Sequence, residues 1–229
     1  MTTAESGALL AESVYRTLVD QIFEGALPPG APLSVPALAA RLDVSRSPVR
    51  ESVQRLIHEG LAVHVPHAGA RVLQLDEDAV RDVLAVREAL DGLAAQEAAR
   101  RASADDVAEL VALVERQALL LDEDADTLRD ARLDVELHTR VREISGNRPL
   151  ADALRRLDAQ AHLYTSGMWA EESNRRIAVV EHRRIADAVA AGDADGARRA
   201  ASAHVAAISV RMHRWRTSRT AGGAAGSAR

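Results

Sequence analysis

From Asp76 to Arg216 the apolar residues of this 229-residue chain recur at helical spacing. Six amphipathic segments follow one another, at about 76–101, 105–122, 125–145, 148–168, 173–191 and 194–216. The breaks fall at Ser103, around Asp122 to Asp124, at Gly146-Asn147, after Trp169 and at Gly192-Asp193. Each segment carries an apolar stripe that needs a partner, so the six are expected to close into one helical bundle. Aromatic residues make up only 2% of the chain, which leaves Leu, Val, Ile and the many alanines to fill its cores. Alanine is also the strongest helix former.

The period changes only earlier, in "LAVHVPHAGARVLQL" (Leu61 to Leu75). Ala62 to His64 and Arg71 to Leu75 read as two short strands, with Pro66 to Gly69 as the turn. Ahead of them, residues 1 to about 10 read as a loose arm. Val14, Leu18, Ile22 and Phe23 then share one helical face, and Gly25 ends that helix. "LPPGAPLS" is a turn-rich connection. Ser34 can cap a short helix over Pro36 to Leu42, and Asp43-Val44-Ser45 is a tight break. The next helix has Pro48 in its first turn, where a missing N–H costs little, and Gly60 stops it after His58. Two short helices across a tight break, followed by a hairpin, spell a winged helix-turn-helix. The expected fold class is mainly α: an N-terminal winged helix-turn-helix with a small β-hairpin, joined to an all-α bundle of about six helices. The final "TAGGAAGSAR" is low in complexity, and residues 218–229 are expected to form a disordered tail.

The helix after the tight break carries two cations in its first turns, Arg46 and Arg50. A helix-turn-helix puts those turns into the DNA major groove. Arginine can bond guanine O6 and N7 together, or pair with phosphate. Gln54 continues the stripe one turn on. Ser45 and Ser47 offer hydroxyl and backbone donors to phosphate at a helix start. His67 and Gly69 sit where a wing tip would approach the DNA backbone or minor groove. One arginine alone would read as a solvated charge. The ordered set reads as a DNA-binding surface. The chain has no lysine, so all 29 basic residues are arginine, and its net charge is −5. That balance excludes a chain coated with nucleic acid and leaves room for a small local basic surface.

A second constellation lies in the helical half. "LDVELHTRV" puts Asp134 and His138 at i and i+4, on one helical face. His182 shares its stripe with Ile185 and Val189, and His204 lies among Ala201, Val205 and Ile208. Three neutral imidazoles and a carboxylate suit a divalent transition metal that keeps one or two positions open. The residues alone leave the other reading open: buried core histidines and a simple i,i+4 pair. There is no cysteine, so no thiolate site and no disulfide framework, which suits the cytoplasm. No apolar run approaches the roughly 20 residues that span a bilayer, and Ala8 to Leu10 has acidic neighbours unlike a signal peptide. Neither a Gly-rich phosphate loop nor a Gly-x-Ser-x-Gly elbow occurs.

"VSRSPVRESVQRL" followed by "EGL" resembles the DNA-binding domain of GntR-family bacterial transcription regulators, over about residues 12–75. The resemblance implies operator contacts by Arg46, Ser47 and Arg50, assisted by the wing around His67 and Gly69. The chain departs from the family at Val35-Pro36, where an acidic residue and often an arginine stand, and at Ala68 in the wing. Residues 76–216 resemble the FCD ligand-binding domain of the FadR-type branch. The matching stretches are "VLAVREALDGLAAQEAA", "DVELHTRVREISGN" and "EHRRIADAVAAGDADGARRAASAH". The resemblance implies a metal held by Asp134, His138, His182 and His204, with zinc first and nickel, manganese or iron as alternatives. It also implies that Arg87 faces the pocket that binds an effector, with Asp91 where a glutamate is usual.

These readings define an expected organisation: residues 1–75 for DNA binding, 76–217 for effector binding and dimerisation, and 218–229 as tail. The expected function is that of a cytoplasmic, homodimeric transcription regulator, a repressor rather than an enzyme. It would bind an inverted repeat of double-stranded operator DNA under the control of a small carboxylate. The rival readings are a metal sensor in which the ion itself is the signal, and a helical-bundle metalloenzyme. A di-iron bundle needs paired Glu-x-x-His motifs, and none occurs.

Overall fold

The computed structural model describes residues 3–123 and 126–226. Three helices come first: α1 (Thr3–Phe23), α2 (Val35–Leu42) and α3 (Arg46–His58). Strands β1 (Ala62–Val65) and β2 (Gly69–Val72) follow. Then come α4 (Glu77–Arg101), α5 (Ala104–Leu119), α6 (Thr127–Ser145), α7 (Arg148–Thr165), α8 (Glu172–Ala190) and α9 (Ala194–Gly226). Single 3-10 turns at Leu120–Asp122 and Ser166–Ala170 extend α5 and α7. The chain divides into two units, Met1–Val80 with Ala159–Tyr164, and Arg81–Asp158 with Thr165–Arg229. The change of period at Asp76 marks where strand gives way to helix, a few residues before the change of unit.

In the first unit Val14, Leu18 and Ile22 of α1 pack with Leu38 of α2 and with Val49, Val53 and Leu56 of α3. Ser52 of α3 is buried, and its hydroxyl shares its one proton between the carbonyl oxygens of Ala11 and Pro48, at 2.9 and 2.8 Å. Ser34 and Ser45 both stand at N-cap positions with extended backbone, yet neither side chain makes the capping hydrogen bond. The break between α2 and α3 is tight because Asp43 takes the left-handed conformation (φ 53°), which Asp tolerates. α1 begins at Thr3, where an irregular arm was expected. That stretch has strong helix formers in Ala4, Glu5, Ala8, Leu9 and Leu10 but no continuous apolar stripe, so periodicity misses it.

The two strands pair antiparallel from Ala62 opposite Val72 to Val65 opposite Gly69. β2 ends three residues short of the expected Leu75, because β1 starts at Ala62. Beyond it the Leu73 N–H bonds the Leu61 carbonyl at 2.9 Å and the Leu75 N–H bonds the Tyr164 hydroxyl, so neither continues the ladder with β1. The Leu27 to Ser34 connection is more than a turn. Pro32 bridges Arg71, and the Leu33 N–H bonds the Ala70 carbonyl at 2.8 Å, so the connection covers the second edge of β2.

The second unit holds six α-helices among the described residues, as the periodicity requires. Its core joins Ala94 and Ala98 of α4, Leu110 and Val114 of α5, Leu137 and Val141 of α6, Leu154 of α7, Ile185 of α8 and Ala201 of α9. Small residues let α4 and α9 approach. A Cβ on Gly92 would collide with Ser202 Oγ and sit 3.3 Å from the Arg198 carbonyl oxygen. Ser103 and Asp106 form a capping box that starts α5, and Gly146 (φ 65°) ends α6. α9 runs on to Gly226 where an irregular tail was expected from 218. The alanines and the absence of proline allow it, and residues 227–229 lie outside the described residues. No described helix is long and apolar enough to cross a membrane.

Candidate functional site

Asp134 and His138 occupy adjacent turns on the buried face of α6. His182 comes from the middle of α8 and His204 from α9. All four are 5% exposed or less. One donor atom from each lies within 4.8 Å of the others. Asp134 Oδ1 is 3.3 Å from His182 Nε2 and 3.8 Å from His138 Nε2, and the Nε2 atoms of His182 and His204 are 3.4 Å apart. Donors about 2.1 Å from a tetrahedral ion are about 3.4 Å from one another, so the set has the spacing of a metal cage.

The protons on the rings support the same reading. His204 Nδ1 lies 2.8 Å from Glu181 Oε2, and a carboxylate can only accept, so His204 carries its proton on Nδ1. His182 Nδ1 likewise donates to Gln117 Oε1 at 2.8 Å. Both Nε2 atoms then present lone pairs to each other, with no proton between them. His138 Nε2 is buried and has no hydrogen-bond partner. Burial pushes His138 down to about 3 and lowers His204 as well, so neither ring relieves the crowding by protonation. A cation at the centre would satisfy these atoms, and the residues fit one. Behind His204, Glu181 takes a forked pair of bonds from Arg211 at 2.8 and 3.0 Å. Burial works against its charge, but His204 and Arg211 hold Glu181 at about 2.

Arg87, expected to face the effector pocket, lies in a ring of four buried charges. Its guanidinium lies 3.0 Å from both Asp91 Oδ2 and Asp158 Oδ1. Arg142 closes the ring, at 3.3 Å from Asp91 Oδ1 and 3.0 Å from Asp158 Oδ2. All four residues are 4% exposed or less. Burial alone would raise Asp91, and the two guanidinium groups lower it. Sequence spacing indicates the Arg87–Asp91 pair at i,i+4, but not the arrival of Asp158 from α7 and Arg142 from α6.

The other expected surface lies at the start of α3. Ser45, Arg46, Ser47, Arg50 and Gln54 are all exposed, as are His67 and Gly69 of the hairpin turn. Arg46, Arg50 and Gln54 stand one turn apart along one face. Among the described residues neither Arg46 nor Arg50 has a hydrogen-bond or ion-pair partner. Arg55, next to Gln54 and off that row, differs. It is tied to Glu12 and Glu59 and lies 3.8 Å over the Tyr15 ring. Arg41 is held by Gln21 at 2.5 Å. At the hairpin tip His67 has φ 62° and Gly69 φ 77°, which turns the chain sharply, and both residues are exposed.

Comparison with known proteins settles the family. Residues 82–207 match the family described as "FCD domain", and residues 10–72 match "Bacterial regulatory proteins, gntR family". A probable D-xylose utilization operon transcriptional repressor of Paenarthrobacter nicotinovorans is 32% identical over 200 residues, 86% of either chain. This chain belongs to the GntR family and carries an FCD domain. It is a DNA-binding transcription regulator, not an enzyme. The HTH-type transcriptional repressor RspR of Escherichia coli K12 is 26% identical over 199 residues, again 86% of each chain. Among solved structures E. coli McbR/YncC superposes with a TM-score of 0.78 at 21% identity, over 94% of this chain and 99% of that one, a likeness of fold.

Three residues of this GntR regulator's site escaped the sequence reading. Gln117 looks like an ordinary polar residue on α5. Glu181 is adjacent to His182 and gave no separate signal. Arg211 reads as one of a basic run at the end of a helix, yet it reaches back to Glu181. All three were hidden for the same reason: their role depends on which helices neighbour one another, and one sequence does not print that.

Proposed function

We propose that this regulator is a homodimeric, cytoplasmic repressor whose affinity for an inverted-repeat operator is set by a small carboxylate bound at a metal in the helical unit. The observation that carries the reading is the buried convergence of Asp134 Oδ1 with the Nε2 atoms of His138, His182 and His204. Those four residues hold the ion, zinc first and nickel, manganese or iron as alternatives. When bound, the ion supplies a Lewis-acid anchor for an oxygen ligand. Gln117 and Glu181 fix the tautomers of His182 and His204.

At the other end, Arg46 and Arg50 read base edges or phosphate in the major groove, with Gln54 beside them. Ser45 and Ser47 take phosphate at the helix start, and His67 and Gly69 bring the wing to the backbone. Residues 1–75 serve DNA binding and 76–217 serve ligand binding and dimerisation. The names of two relatives, a probable operon repressor and an HTH-type repressor, support the sign of regulation.

The test is operator affinity, measured by fluorescence anisotropy on a fragment selected from random DNA. The full chain is used metal-free, zinc-loaded, and zinc-loaded with a panel of small organic acids. The reading expects at least one acid to weaken operator binding tenfold or more, only when metal is present. Metal alone producing the change would make the ion the signal. No change with any acid, loaded or free, would overturn the proposal.

A further inference from the structure

Resting on the reading of the helical unit as a carboxylate sensor, we infer that the effector's carboxylate is received by Arg175 in exchange for Asp130, while a second oxygen of the same molecule reaches the metal donors. Arg175 lies in the first turn of α8 and is 5% exposed. Both of its polar contacts among the described residues fall on Nη1. That nitrogen donates to the Leu120 carbonyl at 3.3 Å and stands 3.5 Å from Asp130 Oδ2. Arg175 Nε is buried and has no hydrogen-bond partner among the described residues. Nε and Nη2 together form the edge of a guanidinium that takes both oxygens of a carboxylate. Asp130 is a poor occupant for this cation. It is 7% exposed, and its Oδ2 makes no hydrogen bond among the described residues. Burial raises Asp130, and Arg175 offsets this only in part.

A second orphaned donor flanks the same helix start. Trp169 Nε1, in the 3-10 turn that packs on α6 and α8, is buried without a hydrogen-bond partner among the described residues. Two buried donors without acceptors call for an anion, since an unmade buried hydrogen bond costs the desolvation of the group. Arg87 does not offer the same edge, because its Nε and Nη2 both meet Asp91 Oδ2 at 3.0 Å. The place of Arg175 also sets the length of the ligand. It shares the buried face of α8 with His182, and Asp130 shares that of α6 with Asp134. Along α6 the Asp130 contact comes one turn, about 5.4 Å, before the Asp134 contact with His182. An acid of about four carbons with an oxygen at each end spans that turn. Arg175 is therefore a specificity-determining residue for such acids.

The experiment uses the full chain, with bound zinc counted first by a colorimetric chelator. Butyrate, 4-hydroxybutyrate and succinate are titrated into it by calorimetry. They share one length and differ in the second oxygen. The inference expects 4-hydroxybutyrate or succinate to bind the zinc-loaded chain about tenfold tighter than butyrate. Arg175→Gln keeps a donor near the Leu120 carbonyl and removes the charge. It should weaken the best acid about tenfold or more, with the zinc count unchanged. Asp130→Asn removes the competing carboxylate and should tighten the same acid about threefold or more. An Arg175 that served only to clamp the helices would give no such gain. Acids that bind equally to wild type and Arg175→Gln, or more weakly to Asp130→Asn, would overturn the inference and leave the proposed function standing if operator is still released. No acid bound by the loaded chain would overturn both. A chain that holds no zinc would sink the metal reading alone, and the two variants would still decide the carboxylate contact. Asp130→Asn decides it if Arg175→Gln does not fold.

Discussion

At the scale of single residues, hydrogen bonds behind the donors matter as much as the donors. Glu181 both fixes the His204 proton on Nδ1 and makes that ring a stronger ligand. Glu181→Gln keeps an acceptor but removes the charge. It should lower zinc affinity about 10- to 100-fold with the fold unchanged, as read by competition against a fluorescent chelator and by circular dichroism. Arg142 has a different role, since it neutralises Asp91 and Asp158 together with Arg87. Arg142→Met leaves two buried carboxylates sharing one cation. The expected loss is about 3–5 kcal/mol of unfolding free energy, measured by urea denaturation of the metal-free chain. Spacing alone marked His182 and His204 on or beside apolar stripes and Asp134 with His138 at i,i+4, and it was the FCD resemblance that joined the four into one ligand set. The charge ring was not read from the sequence, although Arg87 and Asp91 share one helix at i,i+4. Arg142 and Asp158 lie 51 and 67 positions beyond Asp91, and only packing brings them together.

At the scale of elements, period decided most of the outcome. All six helices of the second unit were readable from i, i+3, i+4 spacing, as were the two short helices and the hairpin ahead of them. Ends were less readable, because they are set by pairing and propensity rather than by stripes. β2 stops at Val72 since β1 offers nothing further to pair with, while α1 and α9 extend through Ala-rich stretches that carry no stripe. The crossing of α4 and α9 depends on Gly92, against which Ser202 and Arg198 rest. Gly92→Val should force the two helices apart and destabilise the second unit by about 1–3 kcal/mol. An urea midpoint shifted to lower concentration at unchanged slope would register it. On α3 the contrast between open and engaged arginines predicts function. Arg46→Ala and Arg50→Ala should each weaken operator binding by about 1–3 kcal/mol without a change in melting temperature. Arg55→Ala should instead lower the melting temperature, because it loses Glu12, Glu59 and Tyr15.

At the scale of the whole molecule, the account joins two sites through thermodynamic linkage. An acid that weakens operator binding by some factor must itself bind more weakly by that same factor when operator is present. Calorimetry of the acid with and without saturating DNA checks this, and unequal factors would exclude a simple two-state regulator. The account also requires two chains per operator, since a two-fold protein reads an inverted repeat. The linkage rests on one physical claim, that three imidazoles and one carboxylate converge on a cation inside the helical unit. Anomalous diffraction at the metal edge, from crystals of the zinc-loaded chain, tests it most directly. The account predicts one strong peak per chain, about 2.0–2.2 Å from Asp134 Oδ1 and from the Nε2 atoms of His138, His182 and His204. A peak elsewhere, or none at that position in a fully loaded crystal, would contradict it.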